Sequence, residues 1–157
     1  MRSRRRRAFS LVEVTLALGV AAISLLVIFS LLPIGLQTNQ RAVEQTASID
    51  ILSAVAADLR ATPVTSPRGN AATSNQFGIS IPGSGGTGTT TLYFNSTGQS
   101  NSSQQTDSRY RVTITFVSNG GGAKRATLAD LKVTWPASAT IVNAQGTSEI
   151  FAAFDRN

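Results

Sequence analysis

Glu13 is the only charged side chain between Arg7 and Arg41, and it stands four positions past Phe9 at the head of an apolar run, Val14 to Leu32. On insertion scales an ionised Asp, Lys or Arg at the middle of a membrane helix costs about 2.5 to 3.5 kcal/mol, and less toward an end. A chain that needed only an anchor would carry Leu there, so the chemistry open to Glu13 is charge pairing with a cation supplied from outside the run. Just upstream, Arg2 and Arg4 to Arg7 form a basic leader that stops abruptly at Ala8.

The remaining candidates for chemistry are weaker. Asp107, Asp130, Glu149 and Asp155 are scattered carboxylates. Nothing spaces them as an acid/base pair, and no nucleophile motif accompanies them. The chain has neither Cys nor His, which removes the commonest zinc ligands and the commonest general base. No spacing of oxygen ligands suggests a Ca²⁺ site. Gly120-Gly121-Gly122 lacks the G-K-[ST] ending and following helix of a phosphate-cradling loop. Asn95-Ser96-Thr97 and Asn101-Ser102-Ser103 fit a glycosylation pattern that is frequent by chance in such composition. No catalytic residue, cofactor or metal is therefore assigned.

The elements that position Glu13 are legible from composition. At 157 residues the chain allows one domain and an anchor. The net charge of +6 sits in the leader, because beyond position 8 there remain nine basic and eight acidic residues, which argues against nucleic acid as a partner. A basic segment before an apolar run holds an amino terminus in the cytoplasm while the following chain is exported. Arg6-Arg7-Ala8-Phe9 superficially fits a twin-arginine signal, and an ordinary secretory signal is the other alternative. Both predict an apolar region of about 7 to 15 residues closed by a small-residue cleavage site. The uncharged run here is 19 residues with no A-x-A motif, closer to the roughly 20 residues of a spanning helix.

Pro33 cannot donate to the carbonyl of Phe29, so either a bend is expected there or Leu32-Pro33-Ile34-Gly35 marks the membrane exit. From Gln37 to Ala61 the composition turns polar while Val43, Ala47, Ile51, Leu52, Val55, Ala56 and Leu59 recur at three- and four-residue steps. Arg41, Glu44, Asp50 and Asp58 are expected largely on the opposite side. A helix from Phe9 to Ala61 would be roughly 80 Å long. Its second half would offer a stripe for a sheet, or else a subunit interface. Thr62-Pro63 ends it.

Strands are expected at Phe77–Ile81 and Thr90–Phe94, then at Tyr110–Val117 and Ala126–Trp135, which form an antiparallel hairpin with Leu131, Val133 and Trp135 on a common face. Ser148–Phe154 is a last strand beside the hairpin. Asn95 to Ser108 lacks any aliphatic residue and is expected as a flexible loop or a surface contact that orders on binding. The fold class is α+β: a long amino-terminal helix, transmembrane in its first half, against a small antiparallel sheet. Residues 1–8 are expected as the leader, 9–36 as the membrane helix, and 37–157 as an exported domain.

The run Ala8-Phe9-Ser10-Leu11-Val12-Glu13 after the arginines, leading into about 20 apolar residues, resembles the class III signal of type IV pilins and type II secretion pseudopilins. The resemblance covers the first 36 residues; further on it rests on architecture and, more loosely, on Lys132-Val133-Thr134-Trp135-Pro136 followed by a terminal strand. The chain is also similar to a small family of minor pilin-like proteins called Verru_Chthon cassette protein B. The resemblance implies that a prepilin peptidase cuts between Ala8 and Phe9 and N-methylates Phe9. It implies that Glu13 pairs with the terminal amine of a neighbouring subunit. The partners would be that peptidase, other pilin or pseudopilin subunits and the inner membrane, crossed once. The family usually has Gly where this chain has Ala8. Three function classes stay in view: an assembly subunit, an anchored module that binds a polymer through polar loops and Trp135, and an exported enzyme.

A bulky residue in place of Ala8 is expected to leave the full-length precursor. Intact mass measurement on membrane extracts checks this, and mature chain beginning at Phe9 from such a variant would count against the cut.

Overall fold

The computed structural model of the protein describes residues 10–63, 70–83, 85–118 and 126–154. One helix, α1 (Leu11–Ala61), is followed by seven strands: β1 (Ala72–Thr73), β2 (Ser80–Ile81), β3 (Gly88–Asn95), β4 (Ser100–Asn101), β5 (Ser108–Val117), β6 (Thr127–Trp135) and β7 (Gly146–Phe154). A 3-10 turn, Ile141–Asn143, lies between the last two. β4, β3, β5, β6 and β7 form one sheet in that order, every neighbouring pair antiparallel, and β1 with β2 makes a separate two-stranded ribbon. The expected α+β class, a long amino-terminal helix with an antiparallel sheet packed on it, is what the structure has.

The chain divides into two compact units, residues 1–43 and 44–157. In the first, α1 runs without a helical partner among the described residues and continues as helix through Pro33. Every described residue of this unit is exposed. The last helical turn of the chain ends where Thr62 Oγ1 donates to the carbonyl of Asp58 at 2.9 Å, just before Pro63.

In the second unit the stripe works as an intramolecular core. Ile51, Leu52, Val55 and Leu59 are buried with Leu92, Phe94, Tyr110, Val112, Ile114, Phe116, Leu131, Val133, Trp135 and Phe154. The strands contribute every second residue, so one face of the sheet is apolar and the other carries Thr91, Tyr93, Arg111, Thr113, Asp130 and Lys132. Each fully buried large aliphatic or aromatic side chain contributes about 1.5 to 3 kcal/mol. The ion pair from Arg109 on β5 to Glu44 on α1 is half exposed at the arginine and belongs to a class worth about 0 to 1 kcal/mol. Packing therefore holds the helix, and the ion pair adjusts it. Val43 is exposed, so the stripe begins at Ala47 and not four residues earlier.

Three local features differ from expectation. Asp58 is 6 % exposed instead of facing water, because its carboxylate accepts from the backbone N–H of Gln76 at 2.9 Å and of Phe77 at 3.0 Å. It pins the segment after the helix, in which a short strand, β1, pairs with β2 through Ala72↔Ile81 and Thr73↔Ser80. The expected strand Phe77–Ile81 shrinks to its last two residues. Gly78 takes a positive φ of 63°, ending the turn that holds Phe77, yet Phe77, Ile79 and Ile81 still pack on the same core.

The polar stretch after Asn95 is a built turn. The Asn95 Oδ1 accepts from the N–H and hydroxyl of Thr97 and the N–H of Gln99, while its Nδ2 donates to Gln99 Oε1 and Asp107 Oδ2, all within 3.2 Å. Ser100 and Asn101 then pair with Phe94 and Tyr93. Elsewhere, Gly146 passes flat against Trp135, and a Cβ there would fall inside the indole ring. Ala8, Phe9, Gly120 to Gly122 and Asp155 lie outside the described residues.

Asp58→Ala is expected to lower unfolding stability in detergent solution by on the order of 2 kcal/mol, because two part-buried N–H groups lose the buried carboxylate that accepts from both. Asp58→Asn, which keeps one acceptor oxygen, should lose less. Denaturant titration of both variants checks the order.

Candidate assembly site

Glu13 lies in the first turn of α1, where its N–H donates to the carbonyl of Ser10 at 3.0 Å. A carboxylate at a helix amino terminus is favoured by the helix dipole, which accounts for its position in the turn but supplies no full counter-charge. Its side chain has no hydrogen-bond or ion-pair partner among the described residues. The hydroxyls of the same unit contrast with it. Thr15, Ser24, Ser30 and Thr38 each donate back to a carbonyl three or four residues earlier, at 2.7 to 2.9 Å. Those polar groups are satisfied inside the helix and can enter lipid or a helix bundle unaided. Glu13 cannot, so it is the one side chain in the apolar run that asks for an outside donor.

Around and beyond it the helix is apolar on all sides. Leu11, Val12, Val14, Leu16, Leu18, Val20 and the large residues onward to Leu36 are exposed. By length and composition this helix can cross a membrane once, which agrees with single-pass anchoring. A shallow apolar hollow lined by Ile28, Leu31, Leu32, Gly35 and Leu36 opens where Gly35 lacks a side chain. Small residues at such places let a neighbouring helix approach closely.

The other sequence candidates separate. Asp107 serves the Asn95 turn. Asp130 and Glu149 come together on the outer face of the sheet around Lys132, whose Nζ lies 2.8 Å from Glu149 Oε2. Burial, and then the nearby charge of Glu149, raises the Asp130 pKa, and Lys132 opposes the shift. One Asp130 oxygen is buried without a donor. Trp135, offered as a binding aromatic, is in the core at 6 % exposure, against Tyr110. No grouping of metal-ligating side chains occurs among the described residues. Comparison with protein-family models, with curated proteins and with solved structures gives no match to this chain.

Because Asp130 binds its proton more tightly in the folded chain than in the unfolded one, its contribution favours folding at low pH and is lost as pH rises from the ordinary Asp value of about 3.9 through the raised folded value. Asp130→Asn is therefore expected to stabilise the protein at neutral pH relative to the parent and to leave it little changed at about pH 3. Thermal melts at the two pH values check the sign.

Proposed function

We propose that this chain is a minor pilin-like or pseudopilin-like structural subunit. A prepilin peptidase cuts it between Ala8 and Phe9 and methylates Phe9. Residues 9–36 hold it in the inner membrane, with 37–157 outside the cytoplasm, and the amino-terminal helix assembles with related subunits into a pilus or a type II secretion-like filament.

The observation that carries this reading is an unpartnered carboxylate, Glu13, at the head of a helix whose apolar surface is uncovered. Cutting before Phe9 removes the arginines and creates an amine. At the membrane edge, where the local dielectric is low, that amine on one subunit and Glu13 on its neighbour attract strongly. Each is costly to desolvate alone and less so as a pair. An incoming subunit is accepted in the register at which its charge meets the unpaired one. Its helix then exchanges lipid contact for packing against like helices, with the hollow at Gly35 as a seat.

Glu13→Leu is expected to insert in the membrane and to be cut as the parent is, but to lose most of its co-purification with partner subunits after crosslinking. Glu13→Gln, of nearly the same shape, should fail similarly. Mass spectrometry of the parent should find methylated Phe9 at the amino terminus. Parent-level crosslinking by Glu13→Leu removes the pairing role, and a mature chain that keeps its arginines removes the processing.

A further inference from the structure

The outer face of the sheet carries a hollow of about 380 Å³, lined by Thr91 and Tyr93 of β3, Arg111 and Thr113 of β5, and Thr140 and Ile141 from the segment before β7. Strand register builds it. Tyr93 stands directly across from Arg111, and Thr91 across from Thr113, so a phenol, a guanidinium and two threonine hydroxyls share one patch. The 3-10 turn Ile141–Asn143 brings the fifth polar side chain, Thr140, to its rim.

Arg111 is the only charged residue in this lining, and its Nε and one terminal nitrogen are buried with no hydrogen-bond partner. The neighbours that could relieve it do not. Thr134, opposite on β6, directs its hydroxyl to the carbonyl of Arg111; of the acids on this face, Glu149 is engaged by Lys132, and Asp130 stands across from Thr115, four residues along β5 from Arg111. Guanidinium nitrogens buried without an acceptor are unfavourable, and a guanidinium that turns its planar fork into the hollow is suited to a carboxylate. Around it, hydroxyls that both donate and accept, with an aromatic ring alongside, are the groups that hold a polyol ring. The volume suits one monosaccharide unit and falls within the usual range for small-ligand pockets.

We propose that this hollow binds an acidic sugar unit, its carboxylate on Arg111 and its hydroxyls on Thr91, Tyr93, Thr113 and Thr140. The site is independent of how the amino-terminal helix assembles, since every residue in it belongs to the unit of residues 44–157 and none to α1.

The test is calorimetric titration and side-chain NMR on the full chain in detergent, with sodium glucuronate, glucose and sodium sulfate as separate ligands. Glucuronate should bind saturably and shift the Tyr93 and threonine methyl signals, with glucose and sulfate at least tenfold weaker. Arg111→Met should melt like the parent or higher, because an unpaired buried cation is removed, and should lose at least tenfold in glucuronate affinity. Thr113→Val, which deletes one hydroxyl from the wall, should weaken glucuronate severalfold and carries the test if Arg111→Met does not fold. No saturable glucuronate binding, equal binding of sulfate, or parent-level binding by a folded Arg111→Met or Thr113→Val would overturn the proposal.

Discussion

The seating of Ile51, Leu52, Val55 and Leu59 on the apolar face of the sheet is the contact on which the unit of residues 44–157 depends. The sheet supplies one face only, since its strands alternate, and without the helix that face would be open to water along β3, β5, β6 and β7. One continuous helix thus carries two surface patterns. Up to Val43 it is exposed on all sides and apolar through Leu36; from Ala47 it narrows to a single stripe with polar neighbours. The change in pattern along one element, and not a change of element, separates the part suited to lipid from the part suited to a core.

This division explains how polar groups are treated in each half. In the apolar half, threonine and serine hydroxyls turn back on the helix and leave nothing for a neighbour to satisfy. In the sheet-packed half, Ser48 reaches across to Ser148 at 2.7 Å and Asp58 to the following loop, so polar atoms there cross-link elements. Glu13 does neither, and that exception is the basis for reading it as an intersubunit group.

Much of this was legible before any coordinates. The stripe from Ala47 to Leu59 and the alternation of Tyr110 to Val117 and of Ala129 to Trp135 are periodic, and periodicity reports directly which side is buried. What was not legible depends on contacts between distant segments. Asp58 looks like a solvated acid in a helical wheel, and only the return of residues 76 and 77 makes it an anchor. β1 and β2 are two residues each, too short to leave a pattern. The polarity of residues 95–108 pointed to looseness because composition records the lack of a core but not a network centred on one amide. Glu13 stood out as an anomaly in an apolar run, while its counter-charge, on the present reading, belongs to another molecule and leaves no trace in this one. Alternation along Tyr110–Val117 marks Arg111 only as a polar position; its lack of an acceptor emerges once Tyr93 and Thr134 are set beside it.

The Asn95 turn has a consequence for the exposed end of the sheet. One side chain there makes five hydrogen bonds, and Ser96, Ser102, Gln104 and Thr106 around it are exposed. So long as Asn95 keeps its amide, Thr97, Gln99 and Asp107 stay as its partners and Gly98 keeps its positive φ of 82°, exposed neighbours outside this network such as Ser96 and Ser102 can be exchanged for others of different charge or size. The turn thereby separates the side chains that hold it from exposed ones that do not, and the latter can diversify at small thermodynamic cost.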